Sequence, residues 1–289
     1  MDSVYIHSFN EYLDAIKKYS DLLEDDEELF YRGVSDCSYD LRPGILFEKS
    51  CKEDEAYHSL ILEYPEEFNT KEHLSTLAKM QHYGLPTRLL DLSNNILTSL
   101  YFACEQKHND ADGQVFVFKE KKKNVLHHNS DRALMLACLP VLNDKVKDEI
   151  TEFCKTHNGV IDDQQIAFND SMKKFLHEIR GEYPAFETAI VGQDILDCFI
   201  VKANKSNVRM KTQSGFFAIF GLDYEHGVKK LEDLCACKII IDKDCKKEIL
   251  KDLDLMGVQP NTIYPDFERT SLYIRCKKFT WQDIDYQKK

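Results

Sequence analysis

Apolar residues recur at helical spacing from the start of the chain. Phe9, Leu13 and Ile16 fall on one face, and Ser8 followed by Glu11 forms a capping box. This pattern predicts a helix ending near Ser20, ahead of the acidic run 24–28. The run reads as a solvated turn; as a metal site it lacks alternating ligand spacing. Residues 29–34 then read as a short buried strand holding one arginine, Arg32. An unpaired buried charge is costly, so that arginine needs a partner. Residues 53–68 and 71–83 read as two helices, the first bent or divided by Pro65 and the second closed by Gly84. Residues 87–92 are extended, and Ser93 or Asn94 caps a helix whose Leu97, Leu100, Tyr101 and Cys104 share a face. The alternation over 114–118 predicts a strand, with the charged run 119–123 as the exposed tip of a turn.

The pattern changes at residue 130. Three helical stretches, 133–139, 145–156 and 164–180, follow one another without a strand, which predicts a helical insertion over about 130–184 beside a sheet. Strands resume at 195–201, 216–220 and 237–241, followed by a helix over 244–256 that ends at Gly257 and another over 266–274. Strands and helices mix without regular βαβ alternation, so the fold class expected is α+β. No repeat or proline-rich linker divides the chain, and a single domain over 1–289 is expected.

Composition narrows the function. With 43% hydrophobic residues among 289, the chain can bury a core, which excludes global disorder. A formal charge of −12 argues against a general polyanion binder but allows a local basic pocket for one small phosphate compound. The start, MDSVYIHSFNEYLD, does not read as a secretory signal, and no window approaches the ~20 apolar residues of a membrane span. The ten cysteines include no CxxC pair, and no HExxH spacing occurs. Cys235, Cys237 and Cys245 are a weak zinc signal, and His127-His128 reads as a solvated pair. The expectation is free thiols in a reducing cytoplasm, with no metal.

Four segments in order carry a resemblance: Phe30-Tyr31-Arg32-Gly33, the thirteen residues QHYGLPTRLLDLS from Gln81 to Ser93, Leu100-Tyr101-Phe102-Ala103, and Thr262-Ile263-Tyr264-Pro265-Asp266-Phe267. Together with Arg209, Gln213, Gly215 and Phe216 they resemble the FRG domain family over residues 29–275. That family's architecture looks related to the ADP-ribosyltransferase fold. The resemblance therefore implies a mixed sheet core with NAD as co-substrate. It further implies ADP-ribose transfer to a protein or nucleic acid acceptor, or NAD cleavage, in a bacterial toxin or anti-phage defence effector. Arg32 matches the transferases' first-strand arginine. Ser93, or Thr87 upstream, stands near their serine position, and Glu268, Asp266 or Glu187 is the candidate for their glutamate.

Residue chemistry leaves alternatives open. The planar fork of Arg32 either grips a pyrophosphate or ribose or braces the scaffold through Asp91. Gly33 admits a ligand or a neighbouring strand, or marks a bulge. The Gly84–Arg88 loop can turn its amides toward an anion. Arg88 and Asp91 lie three apart on an apolar strand and need each other, Arg32 or a ligand. His82 can stack on a base, act as acid or base, or merely meet the helix dipole. Tyr83 can line the same pocket, and Tyr101 and Phe102 read as core. Arg209 and Gln213 share a face if helical. Cleaving NAD calls for a carboxylate at the ribose, for which Glu268, Asp266 and Glu187 are not distinguished by the sequence, although Asp266 after Pro265 also reads as a helix start. The expected site is Arg32, Asp91, Ser93 and Glu268 for chemistry. Gly33, His82, Tyr83, Thr87, Arg88, Arg209 and Gln213 are expected around the nucleotide. The rival expectations are a non-catalytic module sensing a nucleotide or phage component, and a protein partner docking on the insertion.

Overall fold

The computed structural model describes residues 2–48, 51–68, 70–105, 110–187, 190–204 and 215–265, with 270, 271 and 274. Two four-stranded sheets form the centre. The first runs in the order β1 (Asp2–Ile6), β10 (Cys235–Ile241), β4 (Gly113–Lys121), β2 (Glu27–Val34). The second runs β3 (Leu89–Leu92), β9 (Phe216–Phe220), β8 (Cys198–Lys202), β5 (Leu126–His127). They meet at one bridge, where Tyr31 and Ser93 exchange main-chain hydrogen bonds of 2.7 and 2.8 Å.

Strand alternation decides the layering. On β4, Val115 and Val117 face a helical layer while Phe116 and Phe118 face the second sheet. On β2, Leu29 and Tyr31 take the helical side and Phe30 and Val34 the inter-sheet side. That helical layer comprises α1 (Phe9–Ser20), α4 (Ile96–Cys104) and the helix Lys246–Leu255. Beyond the second sheet, Leu126, Val201, Phe217 and Ile219 share a core with Leu136, Ile150 and Phe175 of the insertion. The order is therefore helices, sheet, sheet, helices, an α+β arrangement. Placing alternate residues of one strand in two different cores is what period-two geometry permits.

Most elements fall where periodicity places them, and the departures have local causes. Ser8 Oγ accepts from Glu11 N at 3.3 Å, but Glu11 returns its bond to His7 N rather than to Ser8. The acidic run is partly strand, because Glu27 pairs across to Lys121 and bonds Lys119 at 3.0 Å. Residues 119–121 accordingly extend β4, and only Lys122–Asn124 form the turn. The helix α2 (Glu53–Glu63) stops before Pro65, and α3 (His73–His82) is followed by Gly84 at φ +91°. Asn95, one residue past the expected caps, accepts from Leu97 N and Thr98 N.

The insertion holds α5 (Asp131–Cys138), α6 (Asp144–Thr156), α7 (Asp163–Ala167) and α8 (Asp170–Glu182). Contrary to the strandless expectation, the two-residue β6 (Val160–Ile161) pairs with β7 (Ile190–Val191). The strand expected from 195 starts at Cys198, because Gly192–Leu196 form one helical turn that reverses the chain. A helix over Tyr224–Leu234 lies outside the expected elements, although Tyr224, Val228 and Leu231 stand at helical spacing and pack on one face. The helix expected over 266–274 lies mostly outside the described residues. Among the described residues all cysteines are free, no metal-ligand cluster forms, and no helix is long and apolar enough to cross a membrane.

Candidate functional site

Beside the Tyr31–Ser93 bridge, residues of β2, β3 and β9 line a cleft of about 370 Å³. Arg32 enters it for a simple reason. It follows Tyr31 on β2, so alternation turns it toward the inter-sheet side at the level where the second sheet ends. Arg32 Nη1 donates to the main-chain oxygen of Asp91 at 3.0 Å. Its Nε is buried and has no acceptor among the described residues. Burial lowers the Arg32 pKa, and the charge of Asp91 opposes that shift without cancelling it. The side chain is therefore half-buried, charged and incompletely satisfied at a cleft wall.

The helix α4 forms another wall, and Gly33 is why it can. A Cβ at residue 33 would lie 1.8 Å from the main-chain oxygen of Ser99, and one at Gly113 would lie 2.1 Å from that of Ala103. Glycine on two adjacent strands lets the helix backbone settle onto the sheet. Gly33 thus seats the helix rather than a neighbouring strand, and it also lines the cleft. The seated helix turns Ser99 and Phe102 to the cleft and ends at Glu105, a buried carboxylate on the same cavity. Tyr264, from the TIYPDF segment, donates its hydroxyl to Glu105 Oε1 and Oε2 at 3.0 and 3.1 Å. The Tyr264 ring is buried edge-on against Phe102, with centroids 6.0 Å apart.

The end of α3 supplies Gln81 and His82, so His82 does face the cleft, set edge-on to Tyr83 at 5.0 Å. Tyr83 itself is 66% exposed and does not line the cavity. Asp91 is exposed on the rim, and its main chain rather than its carboxylate holds Arg32. Ser93 lines the cleft, but its hydroxyl oxygen accepts from Asn95 N at 3.0 Å and its backbone makes the inter-sheet bridge. Both groups thus also hold the fold at the cleft wall.

Burial overturns the expectation for Arg88. Arg88 is fully enclosed away from the cleft and makes a two-pronged bond to Glu53, Nε to Oε1 at 2.9 Å and Nη2 to Oε2 at 2.5 Å. Its Nη1 donates to the Phe220 main chain at 2.9 Å, and Lys147 reaches the same Glu53 at 3.0 Å. The Arg88 charge is thus met by an acid 35 residues upstream rather than by Asp91, Arg32 or a ligand. Thr87 is buried, with its hydroxyl turned to Gln81 and accepting from Leu89 N at 3.1 Å, and it borders a second hollow rather than this cleft. Glu187 is exposed and absent from the cleft lining. Arg209, Gln213, Asp266 and Glu268 lie outside the described residues.

The residue that sequence reasoning missed is Glu105. Its signal was available: a lone acid directly after Ile96–Cys104, a helix too apolar to end anywhere but inside. Its meaning depends on Tyr264, 159 positions later. The site offers a guanidinium with an open donor, a held carboxylate, an imidazole, and the aromatic rings of Phe102 and Phe216. Such a cavity can take an anionic group joined to a flat or apolar one.

A family model described as FRG domain matches residues 27–112. The YRG strand, QHYGLPTRLLDLS and LYFA lie within the match; the 209–216 element and TIYPDF lie beyond it. No curated protein matches, and no solved structure matches.

Proposed function

With an FRG domain present at residues 27–112 as the premise, we propose that the cleft binds a phosphorylated nucleotide co-substrate, NAD. The reaction is transfer of ADP-ribose to a macromolecule or cleavage of NAD, in the setting of a toxin or anti-phage effector. The observation that carries the reading is the Arg32 Nε, buried at the cleft wall without an acceptor among the described residues. An unmatched buried donor costs on the order of 1–3 kcal/mol, more when charged. A bound phosphate removes that penalty and supplies the anion that a desolvated guanidinium lacks.

Arg32 holds the phosphates, and the Asp91 carbonyl fixes the plane of the fork. His82 and Gln81 are positioned to donate hydrogen bonds at the same wall. Glu105 is the carboxylate for the developing positive charge at the ribose, because it is buried, on the same cavity and fixed by Tyr264. NAD supplies the labile glycosidic bond. Glu105 takes the role expected of Glu268 on sequence grounds.

Titrating the full chain with NAD by calorimetry, while following nicotinamide release, tests this. The expected result is binding that Arg32→Ala weakens at least tenfold and turnover that Glu105→Gln abolishes. Neither binding nor release, with candidate acceptors present, overturns it. One observation favours a second reading, a non-catalytic nucleotide sensor: the Tyr264 hydroxyl already occupies both Glu105 oxygens. Arg32-dependent binding without turnover, indifferent to Glu105→Gln, selects the sensor.

A further inference from the structure

The cleft does not end at Arg32. A second hollow of about 430 Å³ begins on its other side, and Arg32, Tyr39, Gln81 and Asp91 line both. Arg32 therefore sits on a saddle between two lobes. The second lobe is built from the loop 39–47 and the turn 84–87. The two are tied together by Ile45 N donating to the Thr87 oxygen at 3.2 Å. Gly84 at φ +91° followed by Pro86 fixes the turn. The lobe is preformed, which lowers the ordering cost of filling it.

Its chemistry differs from that of the first lobe. The Arg42 guanidinium lies over the Phe47 ring at 5.0 Å, and its charge is held by Asp40, Nη2 to Oδ2 at 2.5 Å and Nε to Oδ2 at 2.6 Å. Leu85 and Pro86 add apolar wall, and Phe47 is 58% exposed. An anion here would meet the carboxylates of Asp40 and Asp91, and a cation would meet Arg32 and Arg42. A flat, uncharged group meets an aromatic ring and a neutralised guanidinium plane, the pair of surfaces on which nucleobases stack.

We infer that the second lobe seats a planar heteroaromatic base belonging to the same ligand whose phosphate Arg32 holds. The ligand is then a nucleotide laid across the saddle, with its base against the Phe47–Arg42 platform. This rests on the reading of Arg32 above, and the test separates the two.

Calorimetry on the full chain would compare ADP, which carries a base, with inorganic pyrophosphate, which does not. Stacking on an aromatic side chain corresponds to roughly a ten- to hundredfold change in affinity per base. Phe47→Ala is therefore expected to weaken ADP at least tenfold and leave pyrophosphate within twofold. Phe47→Tyr should retain ADP binding, and Arg32→Ala should weaken both ligands. If Phe47→Ala leaves ADP binding unchanged, or weakens pyrophosphate equally, the base subsite is wrong while the phosphate site stands. If the unaltered chain binds neither ligand, the reading of Arg32 fails and the subsite falls with it.

Discussion

Removing the carboxylate of Glu53 should damage this protein more than almost any other single polar substitution. Glu53 is buried between two cations, Arg88 at 2.5 Å and Lys147 at 3.0 Å. Burial by itself would raise its pKa, but the charges and hydrogen bonds of Arg88 and then Lys147 outweigh that and hold it below the usual 4.5. Glu53→Ala strands a fully enclosed guanidinium that, among the described residues, keeps the main-chain oxygens of Phe220 and Gly221 and the Tyr224 ring 5.9 Å away but no anion within ion-pair distance. Breaking one side of a buried pair costs about 3–5 kcal/mol, because the surviving charge stays desolvated. Lys147 suffers less, since Asp144 lies 3.6 Å away near the surface. The expected loss is therefore about 4 kcal/mol in urea unfolding followed by circular dichroism. The double replacement Arg88→Met, Glu53→Leu removes both charges and leaves chiefly the two carbonyls without a donor, for a loss of about 2 kcal/mol. The pH dependence has a definite sign. A depressed carboxyl pKa contributes stability that is fully present above about 4.5 and fades as pH falls through the lower folded value. That acid limb should vanish in the double variant. A loss below about 1 kcal/mol for Glu53→Ala, or a double variant as costly as the two single changes summed, would mean that Arg88 does not depend on Glu53 for its charge.

Gly33→Ala drives a methyl into the Ser99 carbonyl and should cost at least about 2–3 kcal/mol in thermal or urea unfolding. Gly181→Ala, in α8 with nothing within 4 Å, should instead stabilise by about 0.5–1 kcal/mol. Burial raises the Glu182 pKa to about 7 and lowers that of His73, 3.8 Å away, to about 4. Stability from Glu182 falls as pH rises from about 4.5 to 7, while that from His73 grows from about 4 to 6.5, so the two slopes oppose. Glu182→Gln should unmask the histidine limb, a gain of about 3 kcal/mol between pH 4 and 6.5 read by urea titration. A flat profile in that variant would count against the assignment. Tyr264→Phe leaves Glu105 without its hydroxyl donor and should lower stability by about 1–3 kcal/mol, visible as an earlier urea midpoint.

Local chemistry written in consecutive residues determined much of this protein. The Phe9–Ser20 helix, the alternation of Val115 to Phe118, the stop at Gly84 and the helical character of the insertion each depend on neighbours within one or two turns. The arginine in the YRG strand also announced itself, because a guanidinium among apolar residues demands an answer. Which answer it received was decided by the tertiary fold, and the two arginines show why. Arg32 and Arg88 both sit on or beside buried strands, yet one borders a cleft with an open donor and the other is sealed against Glu53. Nothing in either neighbourhood distinguishes them. The difference is made by α2 and α6 closing over Arg88, and by the cleft that residues of both sheets line beside the Tyr31–Ser93 bridge. The acid on the same cleft as Arg32 was hidden for the same reason, since Glu105 gains its place only when α4 settles on Gly33 and Gly113 and Tyr264 returns to hold it. Spacing along a chain specifies which groups share a face, but charge partners are chosen by desolvation in three dimensions.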